Sequence, residues 1–234
     1  MKKMIWASAL VVALISSCTA NVNVQFDNSE KVAALESNIE KVATPEEALA
    51  RLQEGNARYV ADSLLYPHTN KARISAVAPH QAPFAAVVTC SDSRVPAEFI
   101  FDQGIGDIFV IRTAGNSVND DVVMGSVDYA LEHLGVKILV VMGHESCGGV
   151  TGAITELEED DNSNVDELLA VIRKDVADFV GKPELLDEAI RTNAKAQVDR
   201  ILAKNNVKEL VEAGKTMVIG AYYNVHDGSV VFNK

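Results

Sequence analysis

Cysteine is scarce in this chain, with 3 in 234 residues. That excludes a fold stapled by a framework of disulfides, and a chain of this length buries an adequate core without one. Tryptophan occurs once, at Trp6, and aromatic residues make up only 6%. Positive charge is in deficit: 21 Lys and Arg face 33 Asp and Glu, a net charge of −12, and no basic cluster stands out. A surface of that sign argues against binding nucleic acid or an anionic membrane face. No internal repeat is present. Hydrophobic residues at 48% and charged residues at 23% are ordinary globular values, so disorder is excluded for most of the chain. The length suits a single domain.

The sequence also lacks an apolar run long enough to span a bilayer, which takes about 20 residues. The run Met4–Ile15 has 12 and follows Lys2 and Lys3, the pattern of a signal peptide. Ile15-Ser16-Ser17-Cys18 is similar to a bacterial lipobox, which makes residues 1–17 a signal peptide and Cys18 a lipidated first residue. Cleavage after Ala20 and a buried N-terminal helix are the alternatives. Residues 21–43 are polar with weak periodicity, and 18–43 read as a tether, leaving 44–234 as the folded domain. The expected location is therefore the periplasm or the cell envelope.

Within that domain, Thr44-Pro45-Glu46-Glu47 opens a helix with a capping box. Short apolar runs at 84–89, 107–112, 137–142 and 216–223 predict strands, with a last strand at 229–232 after the Asp227-Gly228 turn. Helical patterns lie between them at 120–134, ending before Gly135, and at 148–157, 165–180 and 184–204. Strands alternating with helices, the inner strands apolar throughout, predict an α/β domain. Its central, mostly parallel sheet is flanked by helices, with an N-terminal helical arm. In such sheets ligands sit beyond the carboxyl ends of the strands.

Two of those ends carry chemistry. One strand runs into Cys90-Ser91-Asp92-Ser93-Arg94, another into Gly143-His144-Glu145-Ser146-Cys147-Gly148-Gly149. Cys90, His144 and Cys147 supply two thiolates and one imidazole, the donor count of a catalytic zinc site with one position open. A Cys90–Cys147 disulfide is the competing reading in an oxidising compartment. The neighbouring His144, Asp92 and Arg94 argue against it. Other site types fail on spacing. Cys90 and Arg94 are too close for a cysteine phosphatase loop, Ser146 is not in Gly-x-Ser-x-Gly, and no histidine follows His144 at the zincin interval.

CSDSR followed about fifty residues later by GHESCGG resembles the β-class carbonic anhydrases. The resemblance runs from Leu52-Gln53-Glu54-Gly55-Asn56 to the C-terminal strands. It takes in Arg112-Thr113-Ala114-Gly115-Asn116, similar to a bacterial Arg-Asn-Ala-Gly-Asn segment with Thr113 as a departure. It implies an enzyme that interconverts CO2 and bicarbonate with one Zn2+ per subunit, held by Cys90, His144 and Cys147. Water activated to hydroxide on the fourth zinc position would be oriented by Asp92, itself held ionised by Arg94. In the family's closed, inactive state the corresponding carboxylate takes that position, so Asp92 is a conditional ligand. Members closed by bicarbonate use a tryptophan near the pocket, and the one tryptophan here is Trp6, which implies the open, non-allosteric type.

By the same resemblance Gln81 binds bicarbonate and Phe109 lines the CO2 pocket. Gly148 and Gly149 let the backbone approach the metal closely and start a helix whose N–H groups favour an anion, which makes Gly148 a candidate substrate-binding residue. A homodimer, or a tetramer built from it, is implied too. His68, His80, His133 and His226 have no motif context, although one of them would suit proton transfer. A carbon disulfide or carbonyl sulfide hydrolase on the same fold and a non-catalytic zinc protein of the envelope are the alternative functions.

Overall fold

The computed structural model describes residues 42–155 and 164–233. The signal peptide and nearly all of the tether lie outside the described residues, as do 156–163, where the acidic loop falls.

Helix α1 (Pro45–Val60) starts as its residues dictate. Thr44 accepts from the Glu47 N–H at 3.2 Å, and the Glu47 carboxylate accepts from the Thr44 N–H at 3.2 Å. Ala48, Leu49 and Leu52 form its buried stripe. Strands β1 (Ala85–Cys90), β2 (Ile108–Thr113), β3 (Ile138–His144), β4 (Met217–Tyr223) and β5 (Val230–Asn233) make one sheet in the order β2-β1-β3-β4-β5. The first four are parallel and β5 is antiparallel to β4.

The continuous apolar runs of β1 and β3 follow from burial on both faces. Ala85 and Val87 join Ile138, Val140 and Met142 in the core under α1. The alternate residues Ala86, Val88, Leu139 and Val141 meet Ala194, Val198 and Ile201 of α7 (Leu186–Leu202) on the opposite face. A third cluster caps the carboxyl end of the sheet, where Cys90 and Cys147 pack with Val150, Ile172, Ile190 and Tyr222.

The remaining elements are α2 (Lys71–Val77), α3 (Ala97–Ile100), α4 (Asp121–Asp128), α5 (Gly148–Ile154), α6 (Asn164–Asp175) and α8 (Asn205–Glu212). The helix expected at 120–134 is α-helical only to Asp128 and continues as a π-helical turn, Tyr129–His133, before Gly135 at φ +64°. The pattern at 165–180 is α-helical only to Asp175, with a 3-10 turn at Ala177–Phe179. Helices α2, α3 and α8 have no counterpart in the sequence reading. Helix α2 buries none of its residues and left no apolar stripe to detect. Helix α8 has a short one, Val207, Leu210 and Val211, packed against the core, which the sequence reading passed over.

Candidate metal centre

The site begins with strand register. Thr89 of β1 pairs with Met142 of β3, so Cys90 and His144 leave adjacent strands at the same edge. After His144 the chain turns through Ser146, which sits in the left-handed region at φ +55°, and enters α5 from Cys147. That turn folds Cys147 back beside Cys90, their Sγ atoms 4.0 Å apart. Both cysteines are free thiols. The two sulfurs and one imidazole nitrogen all lie within 4.8 Å of one another.

His144 is fully buried, and its two ring nitrogens have different surroundings. Nδ1 lies 2.9 Å from the Glu145 carbonyl oxygen, which can only accept, so Nδ1 carries the hydrogen and Nε2 the lone pair. Nε2 is buried with no hydrogen-bond partner. An orphaned buried nitrogen costs about 1–3 kcal/mol unless something engages it. With two sulfurs at hand, a zinc ion fits that need, and the donor set suits the metal.

The thiols already behave as a ligand pair. Donation from the Cys147 thiol, with the Gly115 N–H at 3.4 Å, holds Cys90 below the usual thiol range despite its burial. Cys147 is pushed up, because losing its proton would break that bond and set a second negative sulfur beside the first.

Asp92 and Arg94 form a two-pronged pair beside these donors. Arg94 Nε donates to Oδ1 at 3.0 Å and Nη2 to Oδ2 at 2.7 Å, while the Arg94 N–H also reaches Oδ1 at 2.9 Å. Arg94 Nη2 is tied in turn to the Ser146 carbonyl at 3.2 Å. The Arg94 side chain holds the Asp92 carboxyl well below the usual carboxylate range. Asp92 Oδ2 lies 3.9 Å from His144 Nε2, at the open side of the donor set.

Three supports escaped the sequence reading as site residues. Arg112 donates from Nε to the Cys90 carbonyl at 3.1 Å and from Nη2 to the Asp92 carbonyl at 2.5 Å, pinning the loop that bears both. Gly115 stands at φ +65°, and a Cβ there would come 2.5 Å from Ile172 Cδ1. Asn193 Nδ2 donates to the Gly115 carbonyl at 2.8 Å. Arg112 and Gly115 belong to the Arg-Thr-Ala-Gly-Asn segment, so the signal was there without an assigned role.

Cys90, His144, Cys147, Asp92 and Arg94 are therefore together, and Gly148 is the first residue of α5 beside them. A Cβ on Gly148 would meet nothing within 4 Å, so close packing within the chain is not what a glycine serves there. Gln81 and Phe109 are not brought to this site within one chain. Gln81 is exposed and precedes the amino end of β1, the end opposite Cys90. Phe109 pairs with Ala86 near that same end and packs against Tyr129, ring centroids 6.2 Å apart.

Comparison with known proteins agrees with this geometry. A profile of the carbonic anhydrase family matches residues 85–230, from the start of β1 to the start of β5. Carbonic anhydrase 2 of Mycobacterium tuberculosis is 35% identical over 197 residues, which cover 80% of this chain and 92% of that protein. The carbonic anhydrase of Mycolicibacterium smegmatis is 35% identical over 198 residues, covering 80% and 93%. Among solved structures, one of two tetrameric β-carbonic anhydrases from Sordaria macrospora superposes with a TM-score of 0.62 at 25% identity, over 68% of this chain and 84% of that one. The sheet order, the Cys-His-Cys donor set and these matches together place the chain in the β class of the carbonic anhydrase family, zinc enzymes that hydrate CO2.

Proposed function

We propose that this protein catalyses the reversible hydration of CO2 to bicarbonate and a proton in the cell envelope, with Asp92 as its key polar group. The observation that carries the reading is the fully held carboxylate next to an orphaned imidazole nitrogen and two sulfurs. A purely structural zinc site has no use for such a pair. Zinc held by Cys90, His144 and Cys147 would lower the pKa of water and so supply a nucleophile near neutral pH.

The chain's own residues then orient and hold. Asp92, ionised and locked by Arg94, offers an acceptor at one fixed place beside the donors, which aims a lone pair of a water-derived nucleophile at CO2. Arg112 and the Ser146 carbonyl fix that acceptor from behind. Apolar surroundings at Val150, Ile172 and Ile190 keep bulk water from the donors. The intact Asp92–Arg94 pair supports the open, non-allosteric type, in which the carboxylate stays off the metal.

The mature protein is a homodimer, or a tetramer built from it. Two observations support this: the pocket residues Gln81 and Phe109 stand away from the donors of their own chain, and Tyr66, Phe99 and Ile105 are exposed apolar groups near the amino end of the sheet. Lipidation at Cys18 would tether it to the envelope. Among the described residues no helix is long and apolar enough to cross a membrane.

Stopped-flow CO2 hydration by zinc-loaded protein, with Asp92→Asn alongside, tests the catalytic reading. Fast hydration lost in the variant is the expected result. Turnover of carbon disulfide or carbonyl sulfide in its place, or none at all from a zinc-replete fold, would overturn it. Fractionation and sedimentation test the location and the assembly; a cytoplasmic monomer would defeat both.

A further inference from the structure

Glu145 stands in sequence between two of the three donors, and its side chain is engaged by a residue outside that set. Its Oε2 lies 2.7 Å from Nδ1 of His226. A carboxylate can only accept, so Nδ1 carries the hydrogen and Nε2 keeps its lone pair. His226 lies in the turn that follows β4, held by its own N–H donating to Asn224 Oδ1 at 2.9 Å. Strand β4 pairs with β3 in the register His144 with Tyr223, and the Glu145 N–H donates to the Tyr223 carbonyl at 2.9 Å. His226 therefore rises from the same sheet edge as His144. Its side chain is 78% exposed, and Nε2 meets no protein partner among the described residues.

The other histidines are elsewhere or engaged. His144 is a donor of the metal centre. His68 is buried against Asp107 at 2.7 Å, His80 precedes the amino end of β1, and His133 stacks on Tyr129 before the amino end of β3. Of the five histidines, His226 alone stands at the catalytic edge with a free nitrogen facing water. The charged groups around it are Glu145 and Asp227, both acidic. The Glu145 carboxylate raises the ring above its ordinary histidine value.

We propose that His226, oriented by Glu145, carries the proton of CO2 hydration from the mouth of the site to the surrounding buffer. The inference rests on the hydration reading above. CO2 and water give bicarbonate and one proton; Nε2 of His226 takes that proton, the ring becomes an imidazolium, and a base in solution removes the proton to restore the neutral ring. Glu145 remains a carboxylate throughout and acts as a positioning residue.

Oxygen-18 exchange between CO2 and water at equilibrium, run on zinc-loaded protein, separates CO2–bicarbonate interconversion from proton delivery. In His226→Ala, proton delivery and kcat in dilute buffer should fall about tenfold, kcat/KM should stay within about twofold, and added imidazole should restore kcat. An unchanged kcat in dilute buffer overturns the relay. So does an equal fall in kcat and kcat/KM without imidazole rescue, which would assign His226 a structural role. A parent that holds zinc but never hydrates CO2 overturns the hydration reading itself and the relay with it. An NMR titration of the His226 ring is independent of turnover: Glu145→Gln should lower its pKa, and an unmoved ring excludes Glu145 as the positioning group.

Discussion

The two ends of the sheet use similar residues to opposite effect. At the amino end, Asp107 is 1% exposed and its oxygens are closed off. Oδ1 takes His68 Nδ1 at 2.7 Å and Arg73 Nη2 at 3.0 Å, while Oδ2 takes the Gly104 N–H at 2.8 Å. Asp102, in the turn after α3, is bound in the same way by Arg58 and by the Leu65 and Tyr66 N–H groups. At the carboxyl end, His144 Nε2 has no partner and Asp92 keeps one side toward the open donor set. An Asp, a His and an Arg that satisfy one another build structure; the same trio with one valence left over builds a site.

The comparison breaks first if Asp92 proves dispensable. Asp92→Asn should keep zinc, by metal analysis, and lose on the order of 10²–10³ in kcat/KM by stopped flow. The same pair predicts a pH signature. Arg94 depresses the folded-state value of Asp92, so its contribution to stability is full above the unfolded value near pH 4 and is lost as pH falls toward the lower folded value. Melting temperatures of parent and variant should differ by a constant amount above about pH 5 and converge below about pH 4. A gap that widens on acidification would reverse the assigned direction.

Asp107→Asn should do the opposite, costing about 3 kcal/mol in denaturant unfolding because it breaks a buried pair, while the folded fraction retains zinc affinity and kcat/KM. A zinc-selective defect would mean that the amino end is not merely structural. Gly115→Ala should cost about 2 kcal/mol, since its φ of +65° is strained for alanine and the methyl meets Ile172, and the shift of the backbone N–H off Cys90 should weaken zinc binding as well. Smallest of all is Gly148→Ala: with open space for the methyl, stability should change by less than about 0.5 kcal/mol. A large loss of activity there would mean that substrate or a second chain occupies that space.

Much of the sheet was legible because its signal is local. Burial on both faces leaves β1 and β3 as unbroken apolar runs, and capping residues mark the start of α1. The metal donors were legible for the same reason, since each half of the set sits on a short motif at a strand end. Helix α2 was not, because it buries nothing and so carries no periodic stripe, and α8 was passed over because its stripe, Val207, Leu210 and Val211, spans barely one turn. The π-helical turn at Tyr129–His133 was missed because a helical pattern of side chains does not distinguish neighbouring hydrogen-bond spacings. Gln81 and Phe109 were named from resemblance alone, and within one chain they stand at the far end of the strands from the donors.

By itself the sequence determined the α/β alternation, the two strand ends that bear Cys90, His144 and Cys147, and the pairing of Asp92 with Arg94, two residues apart in one loop. These depend on patterning and on chemistry carried within a few residues. Only the tertiary structure decided that Thr89 pairs with Met142, which brings donors 57 residues apart to within 4.0 Å, that His144 presents Nε2 rather than Nδ1, and that His226 meets Glu145. Register, ring orientation and contacts between distant segments arise from packing two faces of a sheet at once, and no stretch of chain carries that information alone.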